Sequence, residues 1–561
     1  AVEDILESPF GHVKQIESAL HEAWAHATVD VFQAVSDAIS ARVDPENNPE
    51  LDRALKWLLL YHDVLLRNPP RGGRRGARVI PQRFDAWRDK DYSRLLDWWR
   101  QDRAAAHSAQ RAAEANDGGE EPVREFAQIP GLLPEVGAVR VGLGRRGRRG
   151  RGPARRVPVP DERGERWSLE VGDLGPIEEG DEDADDAGSG PPSDDDDDDA
   201  VEELAELAKN CTAAERAKKA HRARQLVAEF ECSRAVRELE SKGMGDLSDP
   251  FIAAQLAKKH PKRRPEDELP VRLSELAGGR RFERVSVKLG TTMRKLRRLR
   301  GTGVTGYRNE YLKALSEKFE DERAAKAVKL VEEFGEFYLN AELPAWFYAA
   351  YTACEQCAPV KKLSSKADPS KPDCRPVGKG ECLPRMLNSK LVADAKGDAD
   401  DVHWPQNVGS ATADGCSVLV FGVRLATETR RKFVLVNVDV YNAHNEIKRK
   451  VVLEKLAQSE RLRKLVPAYW AQYGPKSNVY FRGRKREVIR ASYDSEEAMR
   501  QGCPLAQLGF NNAIHDDVKW LDAELAKHGG FARFLHDDGY AFAPEDVVFK
   551  LVAELSSKSS T

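Results

Sequence analysis

Between Ile16 and Ile39 the apolar positions of IESALHEAWAHATVDVFQAVSDAI recur at mixed three- and four-residue steps, the period of an amphipathic helix laid against a partner. The same period runs through LKWLLLYHDVLL and FDAWRDKDYSRLLDWWRQD, so residues 1–135 are expected to form a mainly helical region of unassigned role. Trp98 and Trp99, beside Arg100, suit base stacking, but aromatics at helical spacing are expected to pack in a core. Residues 136–200 carry no period and read as a disordered basic-then-acidic linker, and helical spacing returns in a connector over 201–275. From about residue 330 helices alternate with strands. KAVKLVEEFGEFYLNAE halts near Pro344, a short strand is expected around CAPVKK, and RKFVLVNVDVYNAHNEIKRKVVLEKLAQ reads as a buried strand ending near Asp439, then a helix with apolar Ile447, Val451, Leu453 and Leu456. FLHDDGYAFAP reads as a hairpin with Asp537 and Asp538 at its tip, because Asp-Gly between alternating apolar runs is a strong turn signal.

Charge changes this picture by being segregated. A net charge of -3 hides eight arginines and no acid between Arg140 and Arg156, a segment able to neutralise phosphates or to act as a nuclear-import signal. Between Asp173 and Asp199 lie fourteen acids and no Lys or Arg, a run that repels itself. A second basic run, Arg280 to Arg300, holds nine Lys or Arg against Glu283 alone; it borders a nucleic-acid channel or is a solvated charged face. Eight cysteines with no dense framework suit a reducing compartment, and nuclear or cytoplasmic placement is expected. Cys354, Cys357, Cys374 and Cys382 lack the tight second spacing of a zinc site and read as buried thiols. No stretch is long and apolar enough to span a bilayer, so no membrane partner is expected.

Three segments in order carry the candidate chemistry: VNVDVYNAHNEI, MRQGCPLAQLGFNNAIHDDV and FLHDDGYAFAP. Two adjacent carboxylates repel and call for a cation. If the strand ending in Asp439 neighbours the hairpin of Asp537 and Asp538, the three carboxylates make a hard-oxygen site for divalent ions, as nucleotidyl transfer requires.

From about 290 to 555 the chain resembles the fingers and palm of a reverse transcriptase, most similar to those of non-LTR (LINE-type) retrotransposons. VDVYNAHNEI resembles the first palm motif, MRQGCPLAQLGFNNAI the Arg-Gln-Gly-Asp-Pro-Leu-Ser-Pro segment, and LHDDGYAFAP the Tyr-x-Asp-Asp hairpin; APVKK, CRPVGKGECLPRML and GTGVTGYRNEYLKAL resemble the fingers motifs. The resemblance implies an α+β fold: right-hand polymerase fingers and palm with an antiparallel palm sheet over 276–561, truncated before the thumb. It implies an RNA-directed DNA polymerase of a retroelement, with an RNA template, a DNA primer, deoxynucleoside triphosphates and two Mg2+ ions, or Mn2+, as partners. Asp439, Asp537 and Asp538 would be catalytic and bind metal, with the Val440 carbonyl assisting; Lys361 and Arg375 would meet the triphosphate, His444 the sugar, and Gln501 and Gly502 the nucleotide and template.

The chain departs from the family at several positions. His444 stands where Phe or Tyr excludes a ribose 2'-hydroxyl, Cys503 replaces the Asp of the middle motif, Ala506-Gln507 replaces Ser-Pro, and Leu535, or Phe534 after a one-residue slip, stands for the hairpin tyrosine. About twenty residues follow the hairpin, too few for the rest of a palm, a primer grip or a thumb. Two other readings therefore stay open: a catalytically inactive, nucleic-acid-binding remnant of such an element, and an acidic-and-basic scaffold for other proteins.

Overall fold

The computed structural model describes residues 13–68, 76–115, 156–160, 166–170, 212–270, 273–278, 281–317, 321–365, 368, 370–410, 412–440, 443–482 and 488–558. Residues 1–112 and 187–561 form one compact unit and residues 113–186 another. The helices α1 (His21–Ser40), α2 (Pro49–Leu66), α3 (Gly76–Arg88) and α4 (Tyr92–Ala115) open the chain, with the Asn48 side chain accepting from the Leu51 amide to start α2. Trp24, Thr28, Val31, Phe32 and Val35 make the buried stripe of α1. Trp24 stacks on Tyr61 with ring centroids 5.0 Å apart and donates its indole N–H to the Tyr311 carbonyl at 3.0 Å; Phe32 meets Phe334 edge-on at 5.4 Å. The first helical layer thus shares one core with later helices, and the expected division near residue 135 falls instead at 112. Trp99 donates to Asp63 at 2.6 Å and both tryptophans pack on this core, which accounts for them without a nucleic-acid role.

Within the linker expected to be disordered, strand β1 (Arg156–Pro160) pairs antiparallel with β2 (Arg166–Glu170), Arg156 opposite Glu170. The β-prone Val157 pairs with Leu169 and Val159 with Trp167, whereas Pro158 and Pro160 have no amide to donate to the ladder. The acidic run 173–199 and the basic residues 140–155 lie outside the described residues.

Helices α5 (Ala213–Ala228) and α6 (Cys232–Glu240) form a hairpin, and α7 (Asn309–Glu317) and α8 (Glu322–Leu339) carry the chain to two small sheets. One is mixed, in the order β6 (Val377–Lys379), β3 (Cys354–Cys357), β8 (Ser477–Arg482), β9 (Val488–Ser495), with β3 parallel to β8 and the other pairs antiparallel. The other joins β4 (Val360–Lys362) to β5 (Asp373–Cys374), followed by helices α9 (Cys382–Asp394) and α10 (Arg449–Gln458). Cys374 lies against Gly245, whereas Cys382 donates to the Tyr307 carbonyl at 3.0 Å, so these thiols are packed in different places.

A third, antiparallel sheet runs β10 (Phe531–Leu535), β11 (Asp538–Pro544), β7 (Phe433–Asp439). Ala532, Phe534, Ala541 and Ala543, with Val434, Val436 and Val438, bury one face against α11 (Pro504–Ala526) and α12 (Glu545–Lys558) through Val518, Leu521, Leu525, Val548 and Leu551. Strand residues alternate faces, so this burial commits the intervening positions, Asp439 and Asp538 among them, to the opposite face.

Trp24→Ala is expected to lower stability by about 3–5 kcal/mol; loss of the shared core should appear in denaturant unfolding as one transition moving to lower denaturant for both the N-terminal helices and the later ones.

Candidate active site

The β7–β11 register sets Asp538 directly opposite Asp439, and directly opposed residues share a face with Cβ atoms about 5 Å apart. Leu535 pairs with Asp538, leaving His536 and Asp537 as the two-residue turn. The tip is therefore one residue earlier than the expected Asp537–Asp538 pair, and two earlier than the Asp-Gly signal: Asp538 is the first strand residue and Gly539 lies inside β11. A methyl group on Gly539 would sit 2.4 Å from Phe534 Cε1, so this glycine makes room for the Phe534 ring rather than forming the turn. The same register places Leu535 on the carboxylate face and Phe534 in the core, so no slip exchanges them.

Residues far away in sequence hold the turn. Segment 406–409 runs parallel along β10, the Phe534 amide donating to the Gln406 carbonyl at 2.8 Å and the Val408 amide to the Phe534 carbonyl at 2.9 Å. From it the Asn407 side chain brackets His536, accepting from its amide at 3.3 Å and donating to its carbonyl at 3.2 Å. His536 has φ 62°, a left-handed conformation that a non-glycine residue keeps only when surroundings enforce it. Its Nδ1 lies 3.3 Å from the Asn511 amide nitrogen of α11. Asn407 carries no motif signal, and Asn511 and His536 lie inside the quoted segments without a role of their own there; only the tertiary contact joins the three.

Asp439 is exposed, and Asp537 and Asp538 are half-buried. Burial, with Asp537 and Asp439 adding repulsion, holds the Asp538 carboxyl above its usual range. Among the described residues no ion pair to these carboxylates occurs, and the basic groups beside Asp537 are imidazoles. Burial lowers His444, against the opposing pull of Asp537, and lowers His536 to about 4, so both are neutral near pH 7. His444 also packs edge-on to Phe510 at 5.2 Å. Among the described residues no three His, Cys, Asp or Glu side chains are already arranged as a metal cage. Mg2+ needs only one or two carboxylates and takes its other ligands from water and substrate phosphates, so the donor set fits it.

The remaining expected residues fall on neighbouring elements. Gln501 bridges Val377 of β6, its carbonyl accepting from the Gly378 amide at 3.0 Å; Gly502 follows at φ 93°, where a side chain would be strained. This loop and β6 border a small, open cleft lined in part by Tyr351, Glu381, Arg385, Arg500 and Cys503. Two buried arginines support the loop from behind: Arg449 donates to the Ala498 carbonyl at 3.0 Å and to the Ser495 hydroxyl at 2.7 Å, and Arg500 bonds the Thr352 carbonyl. Glu381 accepts from the Thr305 amide and hydroxyl, each at 2.7 Å, and burial pushes its carboxyl up to about 7. Lys361 and Arg375 come together with each other on the β4–β5 ribbon, where Val360 opposes Cys374, but on a sheet separate from the three carboxylates. No helix among the described residues is long and apolar enough to cross a membrane. Compared with known proteins, the chain matches no family model and no curated protein sequence.

Asp538 binds its proton more readily in the native than in the unfolded chain, so metal-free stability falls as pH rises from the ordinary aspartate range through the raised value. Asp538→Asn is therefore expected to raise the melting temperature in EDTA at neutral pH, with the gain vanishing in acid below the ordinary range. Thermal scans at a series of pH values check both halves.

Proposed function

We propose that residues 276–561 are the fingers and palm of a reverse transcriptase similar to those of non-LTR retrotransposons, extending a DNA primer on an RNA template. The single observation that carries this reading is the β7–β11 register, which opposes Asp439 to Asp538 and sets Asp537 in the adjoining turn. In the proposed reaction the primer 3'-oxygen bonds to the α-phosphorus of a deoxynucleoside triphosphate, its proton is lost, and pyrophosphate leaves. Divalent ions, Mg2+ or Mn2+, would supply charge neutralisation for the attacking and leaving oxygens. Asp439 and Asp537 would hold those ions, with Asp538 adding negative charge and a further oxygen donor. Asn407 and the α11 residue Asn511 would keep the turn from yielding when phosphates arrive. Gln501 and Gly502 would flank the nucleotide and template, and Lys361 and Arg375 would meet the triphosphate. Packed against Phe510, the polar His444 would restrict the sugar less strictly than the aromatic ring usual at that position.

Cys503 at the start of α11, where the family it resembles carries an Asp, favours the second reading: a nucleic-acid-binding remnant without catalysis.

Primer extension on an RNA template with Mg2+ or Mn2+ separates the two readings. The whole chain is expected to extend, and Asp439→Ala or Asp537→Ala to cut the rate by roughly two orders of magnitude or more, the scale of losing one electrostatic contributor to a transition state. Salt-sensitive RNA binding without extension by the parent would establish the remnant reading instead.

A further inference from the structure

We propose that the α5–α6 hairpin and the segment 294–300 form one docking face for single-stranded nucleic acid, continuous with the cleft beside Gln501 and Gly502; the proposal builds on the nucleic-acid reading above. Residues 213–240 hold seven basic and five acidic residues, and 294–300 hold five basic and no acidic ones. Folding brings these segments together: Arg222 and Arg234, one from each helix of the hairpin, both donate to the Leu299 carbonyl, at 2.5 and 3.3 Å. Leu299 has φ 60°, a conformation that costs a leucine energy and that the two guanidinium groups hold in place. Arg297 reaches Glu231 at 3.3 Å, while Arg298 reaches Glu317 at 3.0 Å and Glu229 at 4.0 Å. Arg234 sits below the usual arginine range, first through burial and then through crowding by Arg300, Arg222 and Arg297, against one opposing acid, Glu231. Gathering like charges raises the energy of the bare protein, and a polyanion lowers it by releasing counterions as its phosphates replace them.

An aromatic ring distinguishes this face from a merely basic one. Phe230 occupies the turn between α5 and α6 at φ 61°, with 92% of its surface exposed, between the two glutamates that anchor Arg297 and Arg298. A ring offered to solvent at the edge of a basic face is an arrangement on which unpaired bases stack, and duplex DNA has no free base face to give it. The face leads to the cleft within a few residues. Arg385, which lines the cleft, donates to the Gly301 carbonyl at 3.0 Å, and Thr305 is bonded to Glu381 on the cleft wall.

Fluorescence anisotropy of labelled oligouridine with the full chain in EDTA tests the face without any metal-dependent step. Phe230→Ala is expected to weaken binding by roughly fivefold to a hundredfold, the scale of removing one stacked base, and Arg224→Glu with Arg294→Glu to reduce the salt slope by about 0.7 for each phosphate the variant no longer neutralises. The circular dichroism of each variant should match that of the parent. Arg294→Gln, which removes the charge without reversing it, is expected to show a smaller loss of the same kind. Unchanged affinity and slope in all variants, tighter binding of duplex than of oligouridine, or binding of an acidic peptide in place of RNA would each overturn the proposal. Extension with no effect of the face variants would sink this proposal alone, whereas sensitive binding without extension would sink only the polymerase reading.

Discussion

Pairing of β7 with β11 in one register is the constraint on which the candidate site depends. Val434, Val436 and Val438 on one strand, and Ala541 and Ala543 on the other, must all reach the helices α11 and α12, and a slip of one residue would turn each set to solvent. Apolar burial on the far face thus forces two carboxylates into opposition on the near face, although their mutual repulsion disfavours it. The core supplies the free energy; the charged face bears the cost, visible in the raised Asp538 carboxyl. A compressed carboxylate cluster with no ion pair among the described residues is suited to a divalent cation.

Fixing the strands leaves the turn between β10 and β11 free to vary, and a different part of the chain restrains it. Segment 406–409 pairs along β10 and presents Asn407 to both backbone groups of His536, while Asn511 reaches the same residue from α11. The cleft has a comparable support. Thr305 is held on one side by Glu381 and on the other by His62 of α2, whose Nε2 lies 3.0 Å from the Thr305 carbonyl. The N-terminal helices therefore bear on the cleft wall through one loop, a physical role for a region whose sequence offers no chemistry of its own.

Much of the architecture was legible along the chain because its signals are local. The stripe of α1 and the apolar run of RKFVLVNVD each arise from neighbours a few residues apart, but that run, expected to be a buried strand, forms the partly exposed edge strand β7, because its exposure depends on what packs beside it. The turn at 536–537 was misplaced by one residue because Asp-Gly is also what close packing under an aromatic ring selects, and the identity of that ring's partner is not a local property. The short strands β1 and β2 were missed because the Arg, Gly and Asp around them dominate the composition of their segment.

By itself, then, the sequence determined which residue types are available, which face of each strand is apolar, and the order of three acidic or glycine-bearing segments that resemble a polymerase. Tertiary structure alone decided that Asp439 opposes Asp538, that Asn407 grips the turn, that the N-terminal helices share a core with the rest of their unit, and that two basic segments meet at Leu299. The reason is physical: periodicity and turn chemistry act over a few bonds, whereas opposition, clamping and charge crowding arise between groups that only packing brings together.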